Sequence, residues 1–364
     1  MFQWWQADSE AFPIETRYAQ VRGKEIAHRF HVTDYHTLSC EMTLTARAHL
    51  FSGIDQLSRI EREAVAEIWD QVKSQRPLVK LFNDPRRVLT RFEVLQRLHT
   101  EGLNTFRVFR VDHADQVDRF PVFVRSDKNH DGALTGLIRS ADALRKSIRA
   151  LRARGADMND LMIVEYVDAR ADDGLYRKYA AFRVGDHVLP SHVLGHHHWM
   201  VKSEGGERNL RLARDEEQFN ANGRYNDWIL RAFKLAGIDY GRLDFGVVAG
   251  VPQAWEINMQ PTVGRGPSKT KPHPQDEITH VLAAVRAAFH VRLREAFVSL
   301  DDRNIPEPEP LVVRISHPVI AALTAERRSV DRRARLKSVL SNTFHSPTLG
   351  RPLRWMYRQL LPRG

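Results

Sequence analysis

RLDFGVVAGVPQAWEINMQPT occupies residues 242–262 of a 364-residue chain. Its apolar positions suit two buried strands, yet Asp244, Glu256 and Asn258 interrupt them. Gly250 and Pro252 supply turn chemistry, so the stretch reads as a hairpin with its turn near residues 249–252. A register symmetric about Gly250 sets Asp244 opposite Glu256. Asn258, two residues further on, shares their face. Facing carboxylates repel and are costly to bury without a cation. An oxygen-only donor set suits Mg²⁺, which keeps waters and shares phosphate oxygens with its substrate. A half-exposed hairpin with a polar face is the plainer alternative. Asn258, poorly suited to a strand without a ligand, favours the metal. The order carboxylate, carboxylate, amide points to a platform for a magnesium-bound nucleotide.

Outward from the hairpin, strand and helix patterns are mixed. IEREAVAEIWDQV (60–72) places Ile60, Ala64, Val65, Ile68, Trp69 and Val72 on one helical stripe. PLVKLF (77–82) reads as a strand. In DPRRVLTRFEVLQRLHTEG (84–102), Asp84 suits an N-cap, Pro85 the first turn and Gly102 the stop. TFRVFRV and FPVFVR read as strands, SADALRKSIRALRARG as a capped helix ending at Gly155, and DLMIVEYV as a strand. RKYAAFRVGDHVLPSHVL reads as a strand pair turning at Gly185-Asp186. YNDWILRAFKLAG and ITHVLAAVRAAFHVRLREAF read as helices. Residues 1–76 show few clear strands. The pattern predicts an α+β fold with largely antiparallel sheets.

At this point a resemblance appears. GRLDFGVV followed by PQAWEINMQPT resembles the metal-binding hairpin of the ATP-grasp superfamily. NDPRRVLTRFEVLQRLHTEGL resembles its helix at the start of the nucleotide domain. FPVFVRSDKNHDGAL resembles the strand and phosphate loop, DLMIVEYVDA the hinge strand, and DGLYRKYAAFRVGDHVLPSH with the later WMVK (199–202) the pair that follows. The resemblance implies two α+β subdomains clamping ATP across residues 77–300, with a lid at about 104–168. It assigns Asp244, Glu256 and Asn258 to Mg²⁺. It places Glu165, Tyr166 and Val167 at adenine, and Asp168 or Asp173 at the ribose. The loop Ser126–Gly132, with Asp131 and Gly132, would fold over the phosphates. Arg91 and Arg125 stand where many members carry phosphate-binding lysines, and Arg177 or Lys178 would meet phosphates from the opposing strand. Arg125, Lys178 and His192 are expected nearest the chemistry, with His192 and Lys202 on the acceptor side. The implied activity is an ATP- and Mg²⁺-dependent, ADP-forming ligation of a carboxylate to an amine or thiol through an acylphosphate, on a small molecule or peptide. A phosphotransferase and a nucleotide-binding module without turnover are the alternatives. Dimers are usual among such proteins, which makes a homodimer the expected assembly.

Composition sets the outer bounds. Cys40 is the one cysteine, so intramolecular disulfides and cysteine-based zinc sites are excluded. Three adjacent histidines, His196–His198, invite a transition-metal reading, but strand neighbours point to opposite faces. No apolar run is long enough to span a membrane. The N-terminus lacks the pattern of a signal peptide, and a cytoplasmic protein is expected. The net charge is +10, and residues 311–364 hold eleven Arg or Lys against two acids. The chain therefore divides into an N-terminal region (1–76), the nucleotide domain (77–300), a Pro- and acid-rich linker (301–310) and a basic tail (311–364). The tail suits an acidic partner or an anionic surface; nucleic acid is not the expected partner.

Overall fold

Four sheets organise the described residues. The computed structural model describes residues 1–7, 18, 22–128, 132–202, 205–263, 276–304 and 306–329. The N-terminal region, expected to hold few strands, contributes β1 (Phe2–Gln6), β2 (Phe30–Asp34), β3 (Glu41–Leu44) and β4 (Ala48–Phe51). With β5 (Lys80–Phe82) they form a parallel sheet in the order β2-β1-β4-β5, β3 lying apart. The short start FQWWQ is a buried strand: Phe2, Trp4 and Trp5 are fully enclosed. Its aromatic bulk hides the alternation that marks a half-exposed strand. Helix α1 (Arg59–Gln75) opens with a capping box between Ser58 and Glu61 and buries the expected stripe from Ala64 to Val72, with Ile60 half-buried at its start.

The chain from 84 to 90 is not helical. Asp84 caps a turn by accepting the Arg86 amide at 3.0 Å. Helix α2 (Arg91–Thr100) starts instead at Thr90, whose hydroxyl and Glu93 form a second capping box. The expected start fails because Thr-x-x-Glu outcompetes Asp84-Pro85 as a cap.

A small α+β unit follows. β6 (Val108–Arg110), β7 (Val122–Ser126) and β8 (Leu161–Glu165) form an antiparallel sheet in the order β6-β8-β7. Helix α3 (Ala141–Ala153) covers it, burying Leu144, Ile148 and Leu151 against Val122, Val124 and Ile163.

The main sheet has the order β10-β9-β11-β12, antiparallel throughout. Its strands are β9 (Tyr176–Val184), β10 (His187–His196), β11 (Tyr240–Val248) and β12 (Val251–Asn258). One face carries Ala181, Leu243 and Phe245 into the largest core, against Phe219 of α4 (Leu210–Asn222) and Ile229 and Phe233 of α5 (Asn226–Ala236). On the other face, Phe182, Val184 and Tyr240 pack on α6 (Glu277–Leu300) and the N-terminal aromatics. That second face is covered only at one end. Its uncovered half carries Lys178, Asp244 and Glu256, and it faces the small unit.

Two amides fix these parts together. Asn83, fully buried at φ +65°, donates to the carbonyls of Phe51 and Tyr240 and accepts from the Asp239 and Tyr240 amides. Asn104 exchanges hydrogen bonds with Ala254 of β12.

Part of the stretch anticipated as a basic tail is folded. β13 (Leu311–Arg314) pairs with β3, and a helix over 317–329, α7, sends Val319 and Leu323 into the main core. Arg327 caps the carbonyls of Tyr35 and Leu38. Residues 330–364 lie outside the described residues, as does Asp131. No described helix is long and apolar enough to cross a membrane.

Candidate functional site: a cleft with an aromatic and a charged end

The hairpin reaches its expected register by an unexpected route. The turn has only two residues, Ala249 (φ +48°) and Gly250 (φ +83°), joining Val248 to Val251. That turn alone would slide the pairing by one residue. A bulge at Trp255, between the Phe245–Ala254 and Asp244–Glu256 pairs, restores it. Asp244 therefore faces Glu256, and Arg242 faces Asn258. On the other side Ala180 pairs with both Asp244 and His192, so His192, Asp244 and Glu256 share one row.

Beside this row lies a cleft of about 430 Å³ between the main sheet and the small unit. One end is aromatic: Phe106, Phe123, Tyr166, Tyr176, Trp199 and Trp255. Trp199 packs on Phe123 at 4.9 Å and edge-on to Tyr166 at 5.9 Å; Trp255 packs on Phe106 at 5.6 Å. The other end is charged, with Arg125, Lys178, Lys202 and Arg242 around Asp244, Glu256 and Asn258.

Each carboxylate of the row meets two cations. Asp244, 1% exposed, accepts from Arg242 Nε at 2.7 Å and lies 2.9 Å from Lys178 Nζ. Burial alone would raise its pKa; the charges of Arg242 and Lys178 outweigh burial and hold the carboxyl below its usual range. Glu256 accepts from Arg125 Nη2 at 2.8 Å, and Arg91 Nη2 lies 3.2 Å from the same oxygen. The Asn258 side-chain oxygen accepts the Gln260 amide at 2.8 Å. No group of three His, Cys, Asp or Glu able to hold a metal occurs among the described residues, so a carboxylate pair needs the amide to complete a donor set. Two carboxylates and a carboxamide on facing strands are hard oxygen donors and fit Mg²⁺.

The other expected residues divide. Tyr166 and Val167 line the cleft where β8 leaves the small unit. Glu165 borders it, but its carboxylate is held by Arg107 and Arg119. Asp168 is exposed and caps the Arg170 amide. Asp173 meets Arg177 with both oxygens at 2.7 Å. Arg91 sits behind Glu256 and donates to the Ser126 and Asp127 carbonyls, anchoring the start of the loop. Gly132 (φ +99°) lies under Met200, whose sulfur would stand 2.7 Å from a Cβ placed there. His196 and His198 accept from nearby backbone amides and His197 pairs with Glu207.

Arg242, Trp199, Met200 and Trp255 stand in stretches that the sequence marks, but no role is read for them there. Arg242 was reachable: two residues before Asp244 on a strand, it must share that face. The segment 199–202 comes to the cleft through a loop path that no local pattern encodes.

No family model matches the chain, and no curated protein matches it. Solved structures similar to it include proteins described as ATP-grasp or as D-alanine–D-alanine ligases. The ATP-grasp ligase PsnB, complexed with Mg, ADP and a precursor variant, is 13% identical, with a TM-score of 0.45 over 83% of this chain and 97% of that one. A RimK domain ATP-grasp protein from Sphaerobacter thermophilus is 13% identical, with a TM-score of 0.43 over 79% and 98%. D-alanine–D-alanine ligase from Bacillus anthracis is 13% identical, with a TM-score of 0.41 over 81% and 98%.

Proposed function

We propose that the chain is an ATP- and Mg²⁺-dependent, ADP-forming ligase of ATP-grasp type, joining a carboxylate to an amine or thiol on a small molecule or peptide. One observation carries this reading: a single cleft has aromatic walls at one end and, at the other, facing carboxylates ringed by cations. Aromatic walls suit a base, and the ringed carboxylates suit a metal-bound triphosphate. The setting is taken as cytoplasmic, with a homodimer as the assembly to test.

In this reading Trp199, Tyr166 and Trp255 sandwich the base. Arg125, Lys178 and Lys202 bind phosphate oxygens, and Gly132 lets the loop backbone approach them. Asp244, Glu256 and Asn258 would hold Mg²⁺, which supplies positive charge to the transferring phosphoryl group. Arg242 keeps Asp244 ionised and oriented. A substrate carboxylate oxygen attacks the γ-phosphorus while the bond to the ADP oxygen breaks, giving an acylphosphate and ADP. The acceptor nitrogen or sulfur then attacks the acyl carbon, loses its proton and expels phosphate. Met200 over Gly132 keeps water from the acylphosphate. His192, with β9 between it and Asp244, would serve the acceptor side.

A second reading has its own observation. Both carboxylates are already matched by cations within the chain, as a nucleotide-binding module without turnover would also have them. Calorimetric titration of ATP with Mg²⁺ into wild type and into an Asp244→Ala, Glu256→Ala variant is the test. Magnesium-dependent binding lost in the variant, with ADP release in a substrate screen, supports the ligase. Binding without ADP release from any carboxylate and amine supports the module. A folded wild type that binds no nucleotide sinks both.

A further inference from the structure

The outer face of the small unit carries a second feature that the cleft does not use. Helix α3 buries all its large apolar residues, Leu144, Ile148 and Leu151, beneath it. Its outer side exposes Arg145, Lys146, Arg149 and Arg152, flanked by exposed Arg139 and Arg154. The one acid on the helix, Asp142, pairs with Arg145. None of the other five basic residues has an ion-pair partner among the described residues. Arg152 and Arg154 also favour the helix C-terminus. That effect does not account for Arg139, Arg145 and Lys146, which lie near the start, where a cation is unfavourable.

Helical geometry aligns the charges. Arg145, Arg149 and Arg152 fall at i, i+4 and i+7, within one stripe, at axial steps of about 6 and about 4.5 Å. Alternate residues of an extended peptide stand about 6.7 Å apart on one face. Acidic side chains at that spacing meet successive arginines, each offering a planar fork to a carboxylate.

We propose that the outer face of α3 docks an extended acidic segment of a partner polypeptide. The exposed residues of the helix are Arg, Lys, Asp and Ala, with no aromatic or large apolar side chain among them. Single-stranded nucleic acid binds through stacking aromatics, and membrane-surface helices insert an apolar face. α3 offers neither. The site lies on the far side of the small unit's sheet from the cleft, so a docked segment leaves the nucleotide path open.

The test uses the full chain and a fluorescent peptide of Glu-Gly repeats, read by anisotropy at low salt. The triple variant Arg145→Glu, Arg149→Glu, Arg152→Glu is expected to bind at least about tenfold more weakly. It is also expected to gain binding to a Lys-Gly peptide. Because the three side chains are exposed, its thermal melt should match wild type. A parallel variant, Arg332→Glu, Arg333→Glu, Arg335→Glu, controls for the C-terminal charge and should stay within about twofold of wild type. The proposal is overturned if the acidic peptide binds wild type and the α3 variant equally, or does not bind wild type. It is equally overturned if a short oligonucleotide or phosphatidylserine vesicles use the same three arginines more tightly than the peptide does.

Discussion

Glu165 and Glu256 are both carboxylates held by two arginines, and they differ in what those arginines belong to. Glu165 is 5% exposed and takes the Arg107 amide at 2.7 Å, the Arg107 side chain and Arg119. All its partners come from the same small unit. Glu256 takes Arg125 from that unit and Arg91 from α2, while Asp244 faces it from the next strand. A charge satisfied within one body is a strut. A charge satisfied across a cleft, opposite a like charge, has partners that a bound anion and cation can replace. Equal pairing chemistry thus stands in two different settings, and the proposed roles follow from placement.

Substitution should separate the two. Glu256→Gln removes a proposed metal ligand and is expected to weaken magnesium-dependent ATP binding by at least about a hundredfold, since even outer partners of metal ligands cost 10- to 100-fold. Any fall in its urea midpoint should be the smaller effect, because the Gln side-chain oxygen still accepts from Arg125 and Arg91, whose side chains are 11% and 6% exposed. Glu165→Gln should do the reverse. It breaks charged hydrogen bonds at a buried position and is expected to cost about 2 kcal/mol in urea unfolding, with ATP affinity nearly unchanged. If both variants lose stability and affinity in the same proportion, the contrast fails.

The sequence made the cleft's floor legible and left its walls dark, for physical reasons. Strand periodicity is strict, so carboxylates at 244 and 256 and the amide at 258 could be placed on one face from a turn alone. Even there the agreement came from two compensating features, a shorter turn and a bulge. Glu165 sits in the expected hinge stretch, but its charge is directed by Arg107 and Arg119, distant in sequence, while Asp173 turns to Arg177 only four residues on. β1 and β4 were obscured because parallel strands buried on both faces lose alternation. The segment bearing Trp199 and Met200 reaches the cleft by tertiary packing alone.

The contact between that segment and the loop can be probed at one atom. Gly132 has φ +99°, a conformation that disfavours any side chain, and a Cβ there would meet the Met200 sulfur. Gly132→Ala is expected to cost about 1 kcal/mol or more in stability. It should also raise the ATP dissociation constant by displacing the loop. Gly136, with open space around its Cβ position and no positive φ, is the matched control: Gly136→Ala should leave both measurements unchanged. Equal effects at the two glycines would mean that Met200 does not close the loop.

A third buried ionisable group completes the contrast, because no arginine sets its state. His49 is 1% exposed, and Trp5 Nε1 donates to its Nδ1 at 3.3 Å, so that nitrogen must be unprotonated. Burial pushes its pKa down to about 3, against about 6.5 in the unfolded chain. A base that stays neutral when folded and charges when unfolded contributes stability in full above about pH 6.5. That stability is lost as pH falls from there toward 3. At pH 6 the loss is about 0.8 kcal/mol relative to pH 8, steepening toward about 1.4 kcal/mol per pH unit below. His49→Gln keeps an acceptor for Trp5 but cannot titrate, so its stability should fall less with acid than that of wild type. Parallel pH profiles for the two proteins would show that His49 takes up its proton without unfolding. The rule separating the three groups would then break at its simplest case, since burial without a counter-charge would not have kept the group neutral.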